Sequence, residues 1–574
     1  MTAGLANAAF IISYVFYTLQ FLKGNGGALV YPVYLAPAVV YALMGVSAAG
    51  LKKICGGRVM ERLRELSPSL FAFILLFASA IAERVNFPDP HNFFTRKMEI
   101  ILGASYIIFI AALTFIFLRR AAGSFRSWSK EQKKIPAMIF IFYLVFYLSV
   151  SMWFNYANEP TGDEPAFLLR AHSIVFDRDL DLKNNFANQD YKRFYHRELM
   201  PQQQDIVRDG KIFSYHPALY SFFIAPFYLL GGRLGASIST NILSALLIAF
   251  IFYLLTMTGT GKGPALICSM LAGFTIPLFE YTNIIATEIP AALLTVAAYL
   301  LLKGGKRSAI WFSTAVAGLV WLHLRNLPIA ASLGIIYLYD NRKDLKQAML
   351  FIGAMVLAAA ALLAFNYFNY GVLFASYSSG NSGSLGSNFK LHNITGTLVM
   401  FLDRQLGLLP FSPVFCVIFA GAAMLFKDNR RVFWDTMIIL IPYYLMITSW
   451  HDWGIGNAGP RYFMPIIYML PLLLAPVVSR LKTPLQKDIF NVLTGLSLFM
   501  SLIIACVPWF RWDKHPYESW IVELAGRFGH VNLKAVLPNY RIEGAAPLYL
   551  TLFWIAVIAF VNYLYLAREK GVKK

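Results

Sequence analysis

Long runs of apolar residues separated by polar segments are the dominant pattern along the chain. Five runs precede residue 154 and eleven follow residue 235, and most approach the length of about 20 residues that crosses a bilayer as a helix. They lie near residues 5–22, 29–50, 68–83, 99–118, 135–153, 236–257, 264–281, 288–302, 308–322, 327–339, 346–366, 409–426, 432–448, 463–479, 487–507 and 547–566. The pattern predicts an all-α polytopic membrane protein, a transmembrane helix bundle with about sixteen spans.

The composition agrees with this pattern and excludes other classes of protein. Hydrophobic residues make up 58% of the chain and charged residues 14%, whereas an average soluble domain is about 45–50% apolar and about 25% charged. A soluble enzyme, a fibrous protein and a disordered protein are therefore excluded. An outer-membrane barrel is excluded too, because its strands appear as short alternating segments. The four cysteines lie far apart, which predicts neither a disulfide framework nor a zinc site.

The formal net charge of +20 arises from basic clusters between the apolar runs. In a soluble protein such an excess would indicate nucleic acid as a partner. Here the clusters are those that orient membrane helices, so the predicted partner is the lipid bilayer and not nucleic acid. The clusters lie at residues 52–64, 119–134, 303–307, 342–346, 427–431, 480–487 and 568–574.

All of these clusters fall on one side of the membrane if residues 216–232 do not cross it. The positive-inside rule assigns that side, with both termini, to the cytoplasm. We therefore interpret residues 216–232 as an interfacial helix and expect an integral protein of the cytoplasmic (inner) membrane of a prokaryote. A true span at 216–232, with a compensating error elsewhere, stays open as the alternative.

Residues 154–215 form the largest polar segment, which falls on the external side and holds ten of the thirty acidic residues. Asp163 and Glu164 stand immediately before the apolar-periodic stretch AFLLRAHSIVF. That position predicts a helix N-terminus, where the two carboxylates either cap the helix or serve as a general base or metal ligands. The acidic stretch Asp177–Asp181 lacks the glycine and the terminal glutamate of an EF-hand loop, so we interpret it as a turn.

Several motifs, taken in order, resemble the membrane glycosyltransferases of the GT-C superfamily. The Gly-Asp-Glu-Pro stretch at 162–165 resembles that superfamily's catalytic Asp-Glu, and Tyr-His-Pro-Ala-Leu at 215–219 resembles its His/Lys-Pro-Pro-Leu segment. Residues 281–291 resemble its second external loop, and residues 453–463 resemble a Gly-Pro-Arg-Tyr segment of bacterial members. The likeness is strongest to the protein O-mannosyltransferases and the aminoarabinose transferases that modify lipid A.

The resemblance implies transfer of a sugar, with inversion, from a polyprenyl-phosphate-linked donor to a lipid, glycan or protein acceptor on the external or periplasmic face. It implies that Asp163 is the general base, with Glu164 as the alternative base or an orienting neighbour. Burial at the membrane boundary is expected to raise the pKa of Asp163, which suits a base.

The remaining candidate site residues are charged or aromatic groups on the external side. Glu288, at the outer end of a span, is a candidate for binding the acceptor or a metal, or for an interhelical hydrogen bond. His216, Arg325 and Arg461 are candidates for binding the donor phosphate, with lipid-headgroup contact as the alternative for the arginines. Tyr215 and Tyr462 are expected to line the site. No cofactor is predicted with certainty, and a divalent metal ion stays open.

The resemblance covers roughly residues 135–480 and divides the chain into three parts. Residues 1–134 are a four-span N-terminal extension that the family pattern does not explain. Residues 481–574 are C-terminal spans with an external loop at 508–546. The alternatives to a glycosyltransferase are a transporter or flippase of lipid-linked saccharides, a polymerase or ligase of such saccharides, and a scaffold of the cell envelope.

Overall fold

The structure is a computed structural model that describes most of the chain after residue 133. The described residues are 134–202, 205–303, 309–373, 393–449, 459–511, 519–529, 532–540 and 548–567. The four predicted spans before residue 134 lie outside the described residues.

Helices form most of the described chain. They are α1 Lys134–Ala157, α2 Glu164–Phe176, α3 Lys183–Ala187, α4 Leu219–Met257, α5 Lys262–Phe274, α6 Leu278–Tyr281, α7 Glu288–Lys303, α8 Ala309–Leu322, α9 Leu327–Asp340, α10 Leu345–Tyr370, α11 Asn393–Leu402, α12 Leu408–Phe411, α13 Ile418–Asp428, α14 Arg430–Ser449, α15 Met469–Val478, α16 Pro484–Cys506, α17 Trp520–Gly529 and α18 Leu548–Leu566. The two short strands β1 Ile206–Arg208 and β2 Lys211–Phe213 pair antiparallel between α3 and α4, with Val207 opposite Ile212.

Each of the twelve apolar runs predicted after residue 134 coincides with one or more of these helices. Among the described residues, six helices are long and apolar enough to cross a membrane, namely α1, α4, α10, α14, α16 and α18. The helical class is therefore confirmed, and the long apolar helices are compatible with the predicted membrane protein. The total of sixteen spans stays a prediction.

Some predicted runs are interrupted where the sequence carries glycine or proline. The run at 409–426 divides into α12, a 3₁₀ turn at Pro413–Val417, and α13. The run at 463–479 begins as a 3₁₀ turn, Arg461–Ile466, and becomes helical only at Met469. Proline lacks a backbone N–H and clashes with the preceding turn, which accounts for the 3₁₀ geometry at Pro413 and Pro465.

Helix α4 contains a break that separates the predicted interfacial helix from the following span. Gly231 and Gly232 have non-helical backbone angles, and Gly232 has a φ of +55°, a conformation that favours glycine. In the segment before this break, Tyr220, Ile224 and Tyr228 are buried. The opposite face exposes only apolar side chains, namely Phe222, Phe223, Pro226, Leu229 and Leu230. Such a face suits a helix lying against lipid, and its location at the interface stays a prediction.

The chain divides into two compact units. The described part of the smaller unit consists of residues 134–135, 145–158 and 502–509, which include the C-terminal half of α1 and the end of α16. The larger unit contains all the predicted site residues. Within it, α7 packs against α4 and α8, and α2 packs against α4. Helix α7 is buried along most of its length, so a charged residue at either end needs a partner from a neighbouring helix.

At the C-terminal end of α7, ion pairs connect residues of two predicted cytoplasmic clusters, 303–307 and 427–431, with acidic residues of α9 and α14. Lys303 pairs with Asp435 of α14. Arg431 binds the same carboxylate through Nε at 2.9 Å, and its Nη2 lies 2.6 Å from Oδ1 of Asp340 at the end of α9. These clusters therefore lie at one end of the helices, as predicted from sequence. That this end faces the cytoplasm stays a prediction.

We predict that Asp435 contributes more to stability than a comparable exposed acid. Asp435→Asn removes the carboxylate that Lys303 and Arg431 share. The Asp435 side chain is only 3% exposed. Breaking such a buried pair destabilises a protein by about 3–5 kcal/mol, so the midpoint of thermal unfolding in detergent is expected to fall clearly.

The matched control is Asp428→Asn, because Asp428 is 40% exposed and pairs with Arg480 across 2.6 Å. An exposed pair of this kind contributes at most about 1 kcal/mol. Equal shifts of the unfolding midpoint for the two variants would contradict a structural role specific to the Asp435 network.

Candidate functional site

The Asp-Glu pair begins α2, and its two carboxylates face different partners. Asp163 occupies the N-cap position, but its side chain caps none of the backbone N–H groups in the described part of α2. Glu164 instead accepts hydrogen bonds from the backbone N–H of Thr161 at 2.9 Å and of Ile285 at 3.0 Å. Glu164 therefore ties the start of α2 to the segment before α7, and Asp163 faces the charged groups described next.

Four charged side chains from four parts of the chain meet at the N-terminal end of α7. Arg461 binds Asp163 through Nη2 and Glu288 through Nε, the second contact spanning 2.7 Å. Arg325 places Nη2 at 2.6 Å from the same oxygen of Glu288, Oε1. We call Asp163, Glu288, Arg325 and Arg461 the charge cluster. Its two carboxylates and two guanidinium groups balance one another in formal charge.

The members of the charge cluster differ in how well they are shielded from solvent. Glu288 has a fully buried side chain, while Asp163 and Arg461 are 19% and 18% exposed. A small opening in the surface is lined by Asp163 and Arg461 together with Thr161, Glu164 and Tyr281. Asp163 and Arg461 therefore border this opening, whereas Glu288 does not.

The pKa of Asp163 is lowered, so the expectation of a raised value is wrong. Burial is the largest single influence and raises the pKa of this carboxyl, but the charge and hydrogen bond of Arg461, together with smaller contributions from His216 and Arg325, outweigh it. The pKa therefore lies well below its usual range. Asp163 is a carboxylate at neutral pH, and its pairing with Arg461 makes it a weak acceptor of protons.

His216 lies beside the charge cluster as a neutral imidazole. Burial lowers its pKa to about 4, and although Asp163 opposes this change, Arg170 and Arg461 add to it. Its Nε2 lies 3.2 Å from Oε1 of Gln202 and 4.0 Å from Oδ1 of Asp163. At neutral pH, His216 can therefore offer a bound anion a hydrogen bond, but it cannot contribute the positive charge expected from sequence.

The two predicted tyrosines contact other predicted site residues, Tyr215 with His216 and Tyr462 with Arg325. Tyr215 is buried, and its ring centroid is 4.1 Å from that of His216. The Tyr462 ring lies under the guanidinium of Arg325 at 5.4 Å, and its backbone carbonyl accepts a hydrogen bond from Tyr443. All eight predicted site residues thus lie in or next to the charge cluster. The glycine-rich residues 453–458 of the predicted motif lie outside the described residues.

Sequence reasoning missed Arg170, a buried cation in the middle of α2. It is 1% exposed, and its Nη2 donates to the carbonyl of Ser214 at 2.8 Å, just before Tyr215 and His216. It therefore fixes the strand end that carries His216. An arginine between Leu169 and Ala171 in an apolar-periodic stretch was the signal, because a charge there needs a buried partner.

The acidic stretch Asp177–Asp181 is a turn, as predicted, since its carboxylates bind donors of the protein. Asp177 accepts from Asn185, Asp179 from the Ser173 hydroxyl, and Asp181 from the backbone N–H of Ile212. Within the described ranges, no group of three or more His, Cys, Asp or Glu residues is placed to hold a metal ion.

We predict that Glu164 has a structural role. Glu164→Ala leaves the buried N–H of Ile285 and the partly buried N–H of Thr161 without their acceptor, and the loss at a buried group is worth about 1–3 kcal/mol. The midpoint of thermal unfolding is expected to fall most for Glu164→Ala. It should fall less for Glu164→Gln, which keeps one acceptor oxygen. Indistinguishable midpoints for wild type and Glu164→Ala would contradict this role.

Comparison of the chain with known protein families and with curated protein sequences finds no match.

Proposed function

We propose that the protein is a membrane glycosyltransferase of the GT-C type. It would transfer a sugar from a polyprenyl-phosphate-linked donor to an acceptor hydroxyl at the membrane face opposite the basic clusters, the external or periplasmic face. The observation that carries the proposal is the charge cluster, in which an external Asp contacts an arginine that also binds Glu288 beside Arg325. A candidate base and two candidate phosphate ligands thus converge on one point.

The two arginines suit the leaving group of this reaction. As the bond between the anomeric carbon and the phosphate oxygen breaks, negative charge develops on the polyprenyl phosphate. Arg325 and Arg461 both contact Oε1 of Glu288, so their guanidinium groups are close enough to bind one phosphate together. Preorganised cations of this kind stabilise developing charge without rearrangement during the reaction.

Asp163 suits the role of general base. In the proposed step the acceptor hydroxyl gives its proton to Asp163, its oxygen bonds to the anomeric carbon, and the polyprenyl phosphate leaves from the opposite face. Glu164 is less suited, because its two oxygens already accept backbone hydrogen bonds. This assignment chooses between the two carboxylates that the sequence left open.

Glu288 suits the role of a positioning residue for the two arginines. It is fully buried at the start of α7, and its Oε1 is shared by Arg325 and Arg461. Its other oxygen, Oε2, accepts no hydrogen bond from any residue that the structure describes. A divalent metal ion would be held by the carboxylates of Glu288 and Asp163, and the adjacent guanidinium groups would oppose its positive charge.

The bilayer is part of the proposed function. A polyprenyl chain is soluble only in lipid, so an enzyme that uses such a donor must lie in the membrane, and the six long apolar helices agree with this requirement. We further propose that the membrane is the inner membrane of a prokaryote, with both chain termini in the cytoplasm.

We predict that Asp163→Asn abolishes turnover while the protein remains folded. Loss of a general base lowers rates by about 10²–10⁴. Purified full-length protein is given polyprenyl-phosphate sugars and an acceptor extract, and release of polyprenyl phosphate is measured. The matched control is Asp209→Asn, since Asp209 belongs to the same external loop and is 83% exposed.

If Asp163→Asn turned over as fast as wild type, the role of Asp163 as general base would be contradicted, although the protein would still be a glycosyltransferase. A different result would contradict the glycosyltransferase itself. If wild-type protein in vesicles moved the lipid-linked sugar across the bilayer without releasing polyprenyl phosphate, the protein would be a transporter.

A further inference from the structure

Arg461 is held by two carboxylates that differ in accessibility. Glu288 is fully buried and also bound by Arg325, so its contact with Arg461 is part of the interior. Asp163 is 19% exposed and lines the surface opening beside Arg461. If Asp163 leaves Arg461, the guanidinium keeps its contact with Glu288 through Nε and remains in position. Nη2 of Arg461 is therefore a binding point at which one anion can replace another.

We infer that Asp163 and the donor phosphate compete for Arg461, so that donor binding releases the base. In this arrangement Asp163 occupies the phosphate position when no donor is bound. The arriving phosphate takes the Nη2 contact, and the Asp163 carboxylate turns toward the acceptor. This inference rests on the proposed function and adds an order of events to it: the donor binds before the acceptor is activated.

The exchange follows from the charges around Asp163. Arg461 contacts its Oδ2, the neutral His216 lies 4.0 Å from its Oδ1, and Arg325 contacts Glu288. Arg461 is thus the one cation in direct contact with Asp163 among the described residues. A carboxylate held by a guanidinium has little affinity for a proton, and it regains that affinity when the guanidinium turns to another anion. Donor binding would therefore convert a weak base into a competent one.

The same competition has a consequence for binding that needs no turnover. An internal carboxylate that must be displaced weakens the binding of the phosphate, because part of the interaction with Arg461 already exists in the unbound protein. Removing the charge of Asp163 should therefore tighten phosphate binding. A residue that only assisted binding, or only supported the fold, would have the opposite effect or none.

The test measures binding of polyprenyl phosphate to the purified full chain in lipid nanodiscs. Asp163→Asn is expected to bind polyprenyl phosphate about tenfold more tightly than wild type, the effect of one charge-assisted hydrogen bond. Arg461→Gln is expected to bind it about tenfold more weakly. In the Arg461→Gln background, adding Asp163→Asn should not tighten the binding of polyprenyl phosphate, because the guanidinium for which the two anions compete is absent. Asp209→Asn should bind as wild type does.

Binding of polyprenol, which lacks the phosphate, measures the contribution of the lipid tail alone. Its binding should be the same in wild type and Asp163→Asn. Should Asp163→Asn fail to purify in folded form, Asp163→Ser removes the same charge and is expected to tighten phosphate binding likewise.

Two failures are distinguishable. If wild type binds polyprenyl phosphate and releases it in turnover, yet Asp163→Asn binds it no more tightly, the competition is overturned and the proposed function stands. If wild type binds polyprenyl phosphate no better than polyprenol, the proposed function is overturned and the competition with it.

Discussion

The pairing of buried charges at the N-terminal end of α7 is the constraint on which the rest of the site depends. Glu288 is fully buried, and a buried carboxylate is tolerated only when cations accompany it. Arg325 and Arg461 meet this requirement, and they bring the turns after α8 and before α15 to the same point. Arg461 contacts Glu288 through Nε, so its Nη2 remains for Asp163 at the start of α2.

Helix α7 carries a similar ion network at its other end, but the two differ in purpose. Lys303, Asp435 and Arg431 connect helices, and the central carboxylate is shielded from solvent. At the N-terminal end, the pair between Asp163 and Arg461 lies at a surface opening. About 22 Å of helix, at 1.5 Å per residue, separates the two networks. Buried charges must be paired at both ends of α7. At the C-terminal end the ion pairs connect helices, whereas at the N-terminal end the contact between Asp163 and Arg461 can be exchanged.

Much of this arrangement is predictable from the sequence. The apolar runs predict where the helices lie, and charged residues outside the basic clusters indicate the candidate site. Arg325 and Arg461 stand out because each lies between two apolar runs on the predicted external side, where the positive-inside rule does not place basic residues. The pairing of Arg461 with Asp163, 298 residues apart, can be seen only in the folded protein. Without knowledge of this pairing, the shift in the pKa of Asp163 is predicted in the wrong direction. The contact of Glu164 with the backbone N–H of Ile285, 121 residues away, likewise requires the fold.

The central claim is that Arg461 and Arg325 form the binding site for a lipid-linked phosphate, with Asp163 as the base beside it. The most direct measurement is an electron cryomicroscopy structure of the full chain with polyprenyl phosphate bound. The account predicts the phosphate in contact with both guanidinium groups, and Asp163 separated from Arg461. A phosphate bound elsewhere, with the ion pair between Asp163 and Arg461 intact, would contradict it.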